Sequence, residues 1–233
     1  MTTQEITALQ GRVEDIRTRM RAAGDTGNVT LLAAVKYATP EQIDALIAHC
    51  GVCDVGENRV QQLLEHYEAM QEKARARFHF IGSLQTNKVK YIADKVCMIH
   101  SLDSCKLAAE IEKQCAKIGK VMDVLVEINS GREENKGGIM PEDAADFCLA
   151  LRDFPHLKLR GFMTMAPKCE KNDDYHKYFQ KTYQQCLDIW QKNLHNIGEP
   201  ILSMGMSESF EAAIEEGADI VRIGRALFQE REK

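Results

Sequence analysis

No apolar run in the 233-residue sequence approaches the roughly 20 residues a helix needs to cross a bilayer, so a membrane-spanning role is not expected. An excess of positive charge is missing as well. Thirty-five acidic residues against 30 basic ones leave a formal net charge of -5, which argues against a nucleic-acid partner. Nothing near the start reads as a leader. Ile6, Leu9, Val13, Ile16 and Met20 recur at helical spacing among Glu5, Glu14 and Asp15, and Thr2 with Glu5 can form a capping box. Transit peptides are poor in acids. We expect a retained amphipathic helix on a cytoplasmic protein.

A disulfide or zinc framework is also without support. The eight cysteines come with no secretory signal, so their even number says nothing about pairing. Cys50 and Cys53 form a C-x-x-C, but it follows a helical pattern and enters a strand-like one, the reverse of a thioredoxin-type site. No second pair or nearby histidine gives zinc spacing. These are expected to be small core residues and surface thiols. No linker or low-complexity stretch divides the chain, so residues 1–233 are expected to form one domain. With 44% apolar and 28% charged residues, it can bury a full core.

Strand-like apolar runs occupy 31–35, 52–55, 78–81, 96–99, 121–128, 157–163, 201–204 and 220–223, with helical stripes between them. Ile43, Leu46 and Ile47 form one stripe, and Val60, Leu63, Leu64 and Tyr67 another. Pro40 after Thr39, and Pro141 ahead of Phe147 and Leu151, read as prolines in first helical turns. A longer helix is expected over 173–193. Eight strands alternating with helices predict an α/β fold, a parallel (β/α)8 TIM barrel with an extra N-terminal helix. An open doubly wound sheet would carry a glycine loop after the first strand, where this chain has Lys36-Tyr37-Ala38.

In such barrels the site lies at the C-terminal strand ends. Lys36 ends the first strand, and a lysine becomes an imine-forming nucleophile when burial or nearby cations favour its neutral form. Ser203-Met204-Gly205-Met206-Ser207 and Arg222-Ile223-Gly224-Arg225 follow strands seven and eight, the usual phosphate position of the fold. Gly224 allows close backbone approach, and a helix starting near Arg225 presents N–H groups to an anion. A strand-capping lysine and two ordinary turn glycines are the plain alternative for each feature alone. Together they suggest a Schiff base to a phosphorylated aldehyde.

The runs Leu31-Leu32-Ala33-Ala34-Val35-Lys36, Val55-Gly56-Glu57-Asn58-Arg59-Val60-Gln61 and Phe78-His79-Phe80-Ile81-Gly82-Ser83 resemble the pyridoxal phosphate homeostasis protein family. So do Leu202-Ser203-Met204-Gly205-Met206-Ser207 and Val221-Arg222-Ile223-Gly224-Arg225, in the same order along nearly the whole chain. The resemblance implies a barrel like the N-terminal domain of alanine racemase, with pyridoxal 5′-phosphate (PLP) held as an aldimine on Lys36. It also implies that Arg222 faces the pyridine nitrogen, that Ser207, Gly224 and Arg225 surround the phosphate, and that Asn58 and His79 line the pocket. Met204 and Met163 would lie near the ring, unless they are barrel-core methionines. Ser83 stands where the family often has histidine, so no role is assigned there. The end of the sequence departs from the family pattern, which weakens any C-terminal lid.

An arginine at the ring nitrogen weakens the cofactor as an electron sink. Tyr37 is a possible lone acid, and the racemases' second domain, with its second acid–base group, is not recognised here. The expected function is therefore holding, buffering and delivering PLP, with indirect effects on amino-acid and keto-acid pools, transient contact with apo-enzymes, and a monomeric state. A racemase-like enzyme, a Schiff-base aldolase using Lys158 and an interaction scaffold are the alternatives. Lys158 starts its strand and so sits at the wrong end. Lys136 is either a solvated loop lysine or a group that helps the cofactor exchange.

Overall fold

Strands β1 (Thr30–Ala34), β2 (Asp54–Glu57), β3 (Arg77–Phe80), β4 (Val96–Leu102), β5 (Met122–Ile128), β6 (Leu157–Thr164), β7 (Ile201–Ser203) and β8 (Ile220–Ile223) pair in sequence order. All pairings are parallel, and β8 returns to β1 to close the barrel. This computed structural model describes every residue except 134–136, 168, 170–171, 194–198 and 229–233. Each expected strand is present. The second is displaced to Asp54–Glu57 because Gly56 and Glu57, poor strand formers by composition, pair with His79 and Phe80 on β3.

The helices follow their punctuation. Helix α1 (Thr3–Ala22) carries the expected Thr2–Glu5 capping box, and α2 (Pro40–Cys50) is capped by Thr39 and Gln42 and closed by Gly51 in the left-handed conformation. Helices α3 (Val60–Ala69), α4 (Val89–Ile92) and α5 (Cys105–Ile118) follow. Helix α6 (Ala144–Ala150) begins after Pro141 rather than around it, and Leu151 falls in a 3-10 turn. Helix α7 (Asn172–Asn193) matches the expected long segment, followed by α8 (Phe210–Glu215) and the single turn α9 (Arg225–Phe228).

Among the described residues the outer station after β8 holds only the turn α9, and α1 fills it out, packing against α2, α8 and α9. Its stripe of Leu9, Val13, Ile16 and Met20 is buried as the pattern required, and Arg12 Nε donates to the Leu227 carbonyl at 2.6 Å. No described helix is long and apolar enough to cross a membrane.

Alternation along the strands divides the core in two. Outward residues such as Ala33, Phe78, Phe80 and Val221 pack beneath the helices, while Leu32, Ile81, Met98, Leu125, Met163 and Ile220 fill the barrel. At the mouth, Gly82 lies against the backbone of Asn58. A Cβ on it would come within 2.2 Å of the Asn58 carbonyl oxygen, which cannot move as a side chain can. Gly82→Ala is expected to cost about 1–3 kcal/mol of stability, as overpacking does, read as a lower urea midpoint with unchanged slope.

Candidate functional site at the barrel mouth

A pocket of about 150 Å³ opens at the C-terminal strand ends. It is lined by Lys36 after β1, Asn58 after β2, Ser207 after β7, and Arg222, Gly224 and Arg225 from β8 and its end. Ile81, Met165 and Met206 add apolar wall. Six of the eight expected site residues thus share one cavity. A larger cleft of about 710 Å³ lies at the opposite end, among the starts of β1, β2 and β3.

Arg222 is the most constrained of the six. It is buried, and its guanidinium donates to the Ser203 carbonyl at 2.6 Å, the Ser203 hydroxyl at 2.8 Å and the Thr164 carbonyl at 2.8 Å. Burial pulls its pKa down to about 10, and Glu127 opposes that pull, so it stays cationic at neutral pH. Arg225 is exposed and pairs with Glu208 at 2.8 Å. Ser207 Oγ accepts from the Ala226 N–H at 3.4 Å, tying the loop after β7 to the start of α9. Gly224 has a packing reason beside any ligand, since a Cβ there would meet the Ala34 carbonyl oxygen at 2.9 Å.

The Lys36 side chain is exposed, so the partial burial expected from its apolar neighbours is not found. Its Nζ lies 4.7 Å from the centre of the Tyr37 ring. The loop beneath it is held firmly by α3. Gln62 Nε2 donates to the Lys36 carbonyl at 3.0 Å, and His66 bonds the Ala38 backbone while its Nδ1 meets Glu57 Oε1 at 2.6 Å. Burial pushes Glu57 up despite His66. Burial alone would lower His66, but the Glu57 hydrogen bond and charge, with the Ala38 backbone and Glu65, together outweigh it and leave His66 raised.

Two expected pocket residues lie elsewhere. His79 is below the mouth, its ring bonded to Asp54 and His100 inside the barrel, because it is the third residue of β3 and faces inward. Met204 is buried on the outer side with Phe162, Thr182 and Cys186, since Ser203 before it takes the inward position. Met163 packs within the barrel. Met165 and Met206 line the pocket in their place. Lys158, at the start of β6, is exposed at the far end, as expected. Lys136 lies outside the described residues. All eight cysteines are free, and burial pushes Cys148 up to about 12. No cluster able to hold a metal occurs among the described residues.

The reading from sequence passed over Gln62 and His66, which act on Lys36 across some thirty residues and leave no local signature. The inward polar residues Asp54, His100 and Ser203 did leave one, as polar side chains at inward positions of otherwise apolar strands.

Fold and pocket together define a barrel of the class found as the N-terminal domain of alanine racemase, and residues 5–232 match the family "Alanine racemase, N-terminal domain". A structure of alanine racemase from Clostridium difficile 630 superposes with a TM-score of 0.72 at 14% identity, covering 96% of this chain and 58% of that one. PipY of Synechococcus elongatus superposes with TM-scores of 0.85 without PLP and 0.84 with PLP bound, at 25% and 24% identity, each covering 94% of this chain and 99% of that one. A pyridoxal phosphate homeostasis protein from Aquifex aeolicus is 44% identical over 219 residues, 94% of this chain and 95% of its own length. The chain belongs to the pyridoxal phosphate homeostasis protein family.

Removing the imidazole that holds the Lys36 loop leaves Glu57 buried alone. His66→Ala is expected to cost about 3–5 kcal/mol, as breaking buried pairs does, measured by urea unfolding at pH 7. Both groups of the pair are raised on folding, so their contribution is largest at low pH. The Glu57 part is lost as pH rises above the unfolded carboxylate value of about 4.3, and the His66 part above the unfolded histidine value of about 6.5, each through its own folded value. Glu57→Gln is expected to flatten that decline.

Proposed function

We propose that this protein holds PLP at the barrel mouth on Lys36 and works in vitamin B6 homeostasis by buffering and handing over the cofactor. The observation that carries the reading is the convergence of a lysine amine, the Ser207 hydroxyl and a buried, charged Arg222 on one pocket. PLP supplies an aldehyde that condenses reversibly with a primary amine, together with a dianionic phosphate. Lys36 is the one lysine among the described residues lining the pocket, and Ser207 and Arg225 offer hydrogen-bond donors at the ends of β7 and β8.

The pocket also fits such a ligand through what it leaves undone. Asn58 Oδ1 is buried with no hydrogen-bond partner, and an orphaned acceptor at a pocket wall calls for a donor from a bound molecule. The six residues are proposed as the binding set, within a single unit spanning residues 1–233. His79 and Met204 would act from behind the wall.

The same geometry favours holding over catalysis. Arg222 would hold the ring through its pyridine nitrogen, as the resemblance implies, and a guanidinium donor there would keep that nitrogen unprotonated and limit stabilisation of a carbanion. Tyr37, next to Lys36 in the chain, is 57% exposed, and His66, His79 and His100 do not line the pocket. A racemase needs a proton donor and a proton acceptor on opposite faces of the substrate carbon. Besides Lys36, the described wall holds the amide of Asn58, the hydroxyl of Ser207 and the cations Arg222 and Arg225, with apolar Ile81, Met165 and Met206, and no carboxylate or imidazole. An exposed lysine on a well-supported loop suits transfer, because the receiving side can reach it. Transient contact with apo-enzymes and a monomeric barrel belong to the same reading.

Adding PLP to the wild type is expected to give an absorption band distinct from the free aldehyde and fixed by borohydride, with Lys36→Ala giving neither. Identical free-aldehyde spectra for both would end the PLP reading. Ser207→Ala is expected to weaken PLP binding about tenfold, the loss of one hydrogen bond to a charged group, measured by fluorescence titration. Carriage also requires that the loaded protein restore activity to an apo-enzyme faster than it racemises alanine; the reverse order would favour an enzyme.

A further inference from the structure

Between the pocket and the opposite end of the barrel runs a file of buried polar side chains that PLP binding alone does not need. Arg222 donates to Ser203 Oγ at 2.8 Å, and His100 Nδ1 lies 3.1 Å from the same oxygen. His100 Nε2 is 3.0 Å from His79 Nδ1, and His79 Nε2 is 3.0 Å from Asp54 Oδ1. The five residues come from β8, β7, β4, β3 and β2, and none is more than 7% exposed. Arg77 pairs with Asp54 at the base. Buried polar groups are costly unless each is satisfied, so an apolar filling would be the simpler way to build this interior.

Donors and acceptors along the file can be arranged in two ways. A carboxylate only accepts, so His79 Nε2 carries a proton in both. With His79 doubly protonated, Nδ1 donates to His100 Nε2. His100 then holds its own proton on Nδ1 and donates to Ser203 Oγ. With His79 neutral, its Nδ1 accepts instead, the His100 proton moves to Nε2, and the Ser203 hydroxyl donates to His100 Nδ1. One proton near the base therefore reverses every bond up to Ser203.

The reversal changes what Ser203 offers Arg222. In the first arrangement its oxygen is shared by two donors. In the second it accepts from Arg222 alone while donating its own proton onward, and such a polarised hydroxyl is the stronger acceptor. We propose that Asp54, His79 and His100 are positioning residues for Arg222, forming a reversible column that governs whether the guanidinium is offered to the pocket or held back on Ser203. This rests on the reading that the pocket binds PLP.

The surroundings place the column in its first arrangement at neutral pH. Burial works against a charged His79, but Asp54 and the Cys97 thiol outweigh it and raise it to about 9. Burial, with the charges of His79 and Arg222, holds His100 well below its ordinary value. Burial is outweighed at Asp54 by His79 and Arg77, leaving it at about 2. Lys120 faces Cys97 from outside, and Glu127 faces Arg222. The guanidinium is thus offered below the His79 titration and withdrawn above it.

Two readouts test the column. In the protein without PLP, nitrogen-15 spectra of labelled histidine should show His79 doubly protonated at pH 7 and titrating near 9, with His100 passing from its Nδ1–H to its Nε2–H form in step. In the PLP-loaded protein, the cofactor's fluorescence should change with the same midpoint. Asp54→Asn should lower that midpoint in both by about one pH unit or more, as losing a close opposite charge does. A His100 tautomer that stays unchanged while His79 titrates overturns the proposal, as does a cofactor midpoint indifferent to Asp54→Asn. Should PLP fail to bind, the histidine spectra still decide the column, and it is the PLP reading that falls.

Discussion

A guanidinium sealed inside a barrel must be satisfied on every side, and at Arg222 that demand reaches most of the ring. β6 and β7 supply the carbonyls of Thr164 and Ser203, β5 supplies the Glu127 charge, and β4, β3 and β2 follow behind the Ser203 hydroxyl. Only the pocket side is left for a ligand. The rest of the site can then be light: an exposed amine on a short loop, a hydroxyl, and turn backbone. The firm part of the pocket is not the part that carries the amine.

That division separates two tasks that catalytic sites combine. An enzyme must hold its nucleophile and its acid–base groups in register with a reacting carbon, and this usually means burying them. Here the buried groups sit under the pocket and the amine stands in solvent, supported through the peptide carbonyls of Lys36 and Ala38 by Gln62 and His66. Under the proposed column, strength of hold is tuned from below while the amine stays open to water.

The fold was largely readable because strand and helix signals agreed at each level. Thr2, Thr39 and Gly51 mark ends where the structure has them, and eight apolar runs give eight strands. Position relative to the strand ends was enough to find Lys36, Asn58, Ser207, Arg222, Gly224 and Arg225 in one cavity. It was not enough for His79 or Met204, whose places depend on strand parity and depth: His79 faces inward below the mouth, and Met204 faces outward beside an inward Ser203. The strand at Asp54–Glu57 was misjudged by two residues because its pairing with β3, a tertiary fact, overrides the poor propensity of Gly56 and Glu57. Gln62 and His66 could not be found at all from local pattern, since their roles exist only once α3 has docked.

The station taken by α1 also bears on how the molecule comes into being. The helix that covers the seam between β8 and β1 lies at residues 3–22, while the partners that cover its stripe lie at 40–50 and at 210–228. Leaving the ribosome, it can find α2 early but must wait about 190 residues more before Arg12 and Arg19 reach Leu227 and Glu211. Until then the ring is open, with β1 presenting an unpaired edge and half of an apolar stripe still wet. Such long-range closure slows folding and exposes the nascent chain to association. The final seal of this barrel is therefore a meeting of residues 3–22 with residues 210–228, and strain in either segment should be felt first as a seam that does not close.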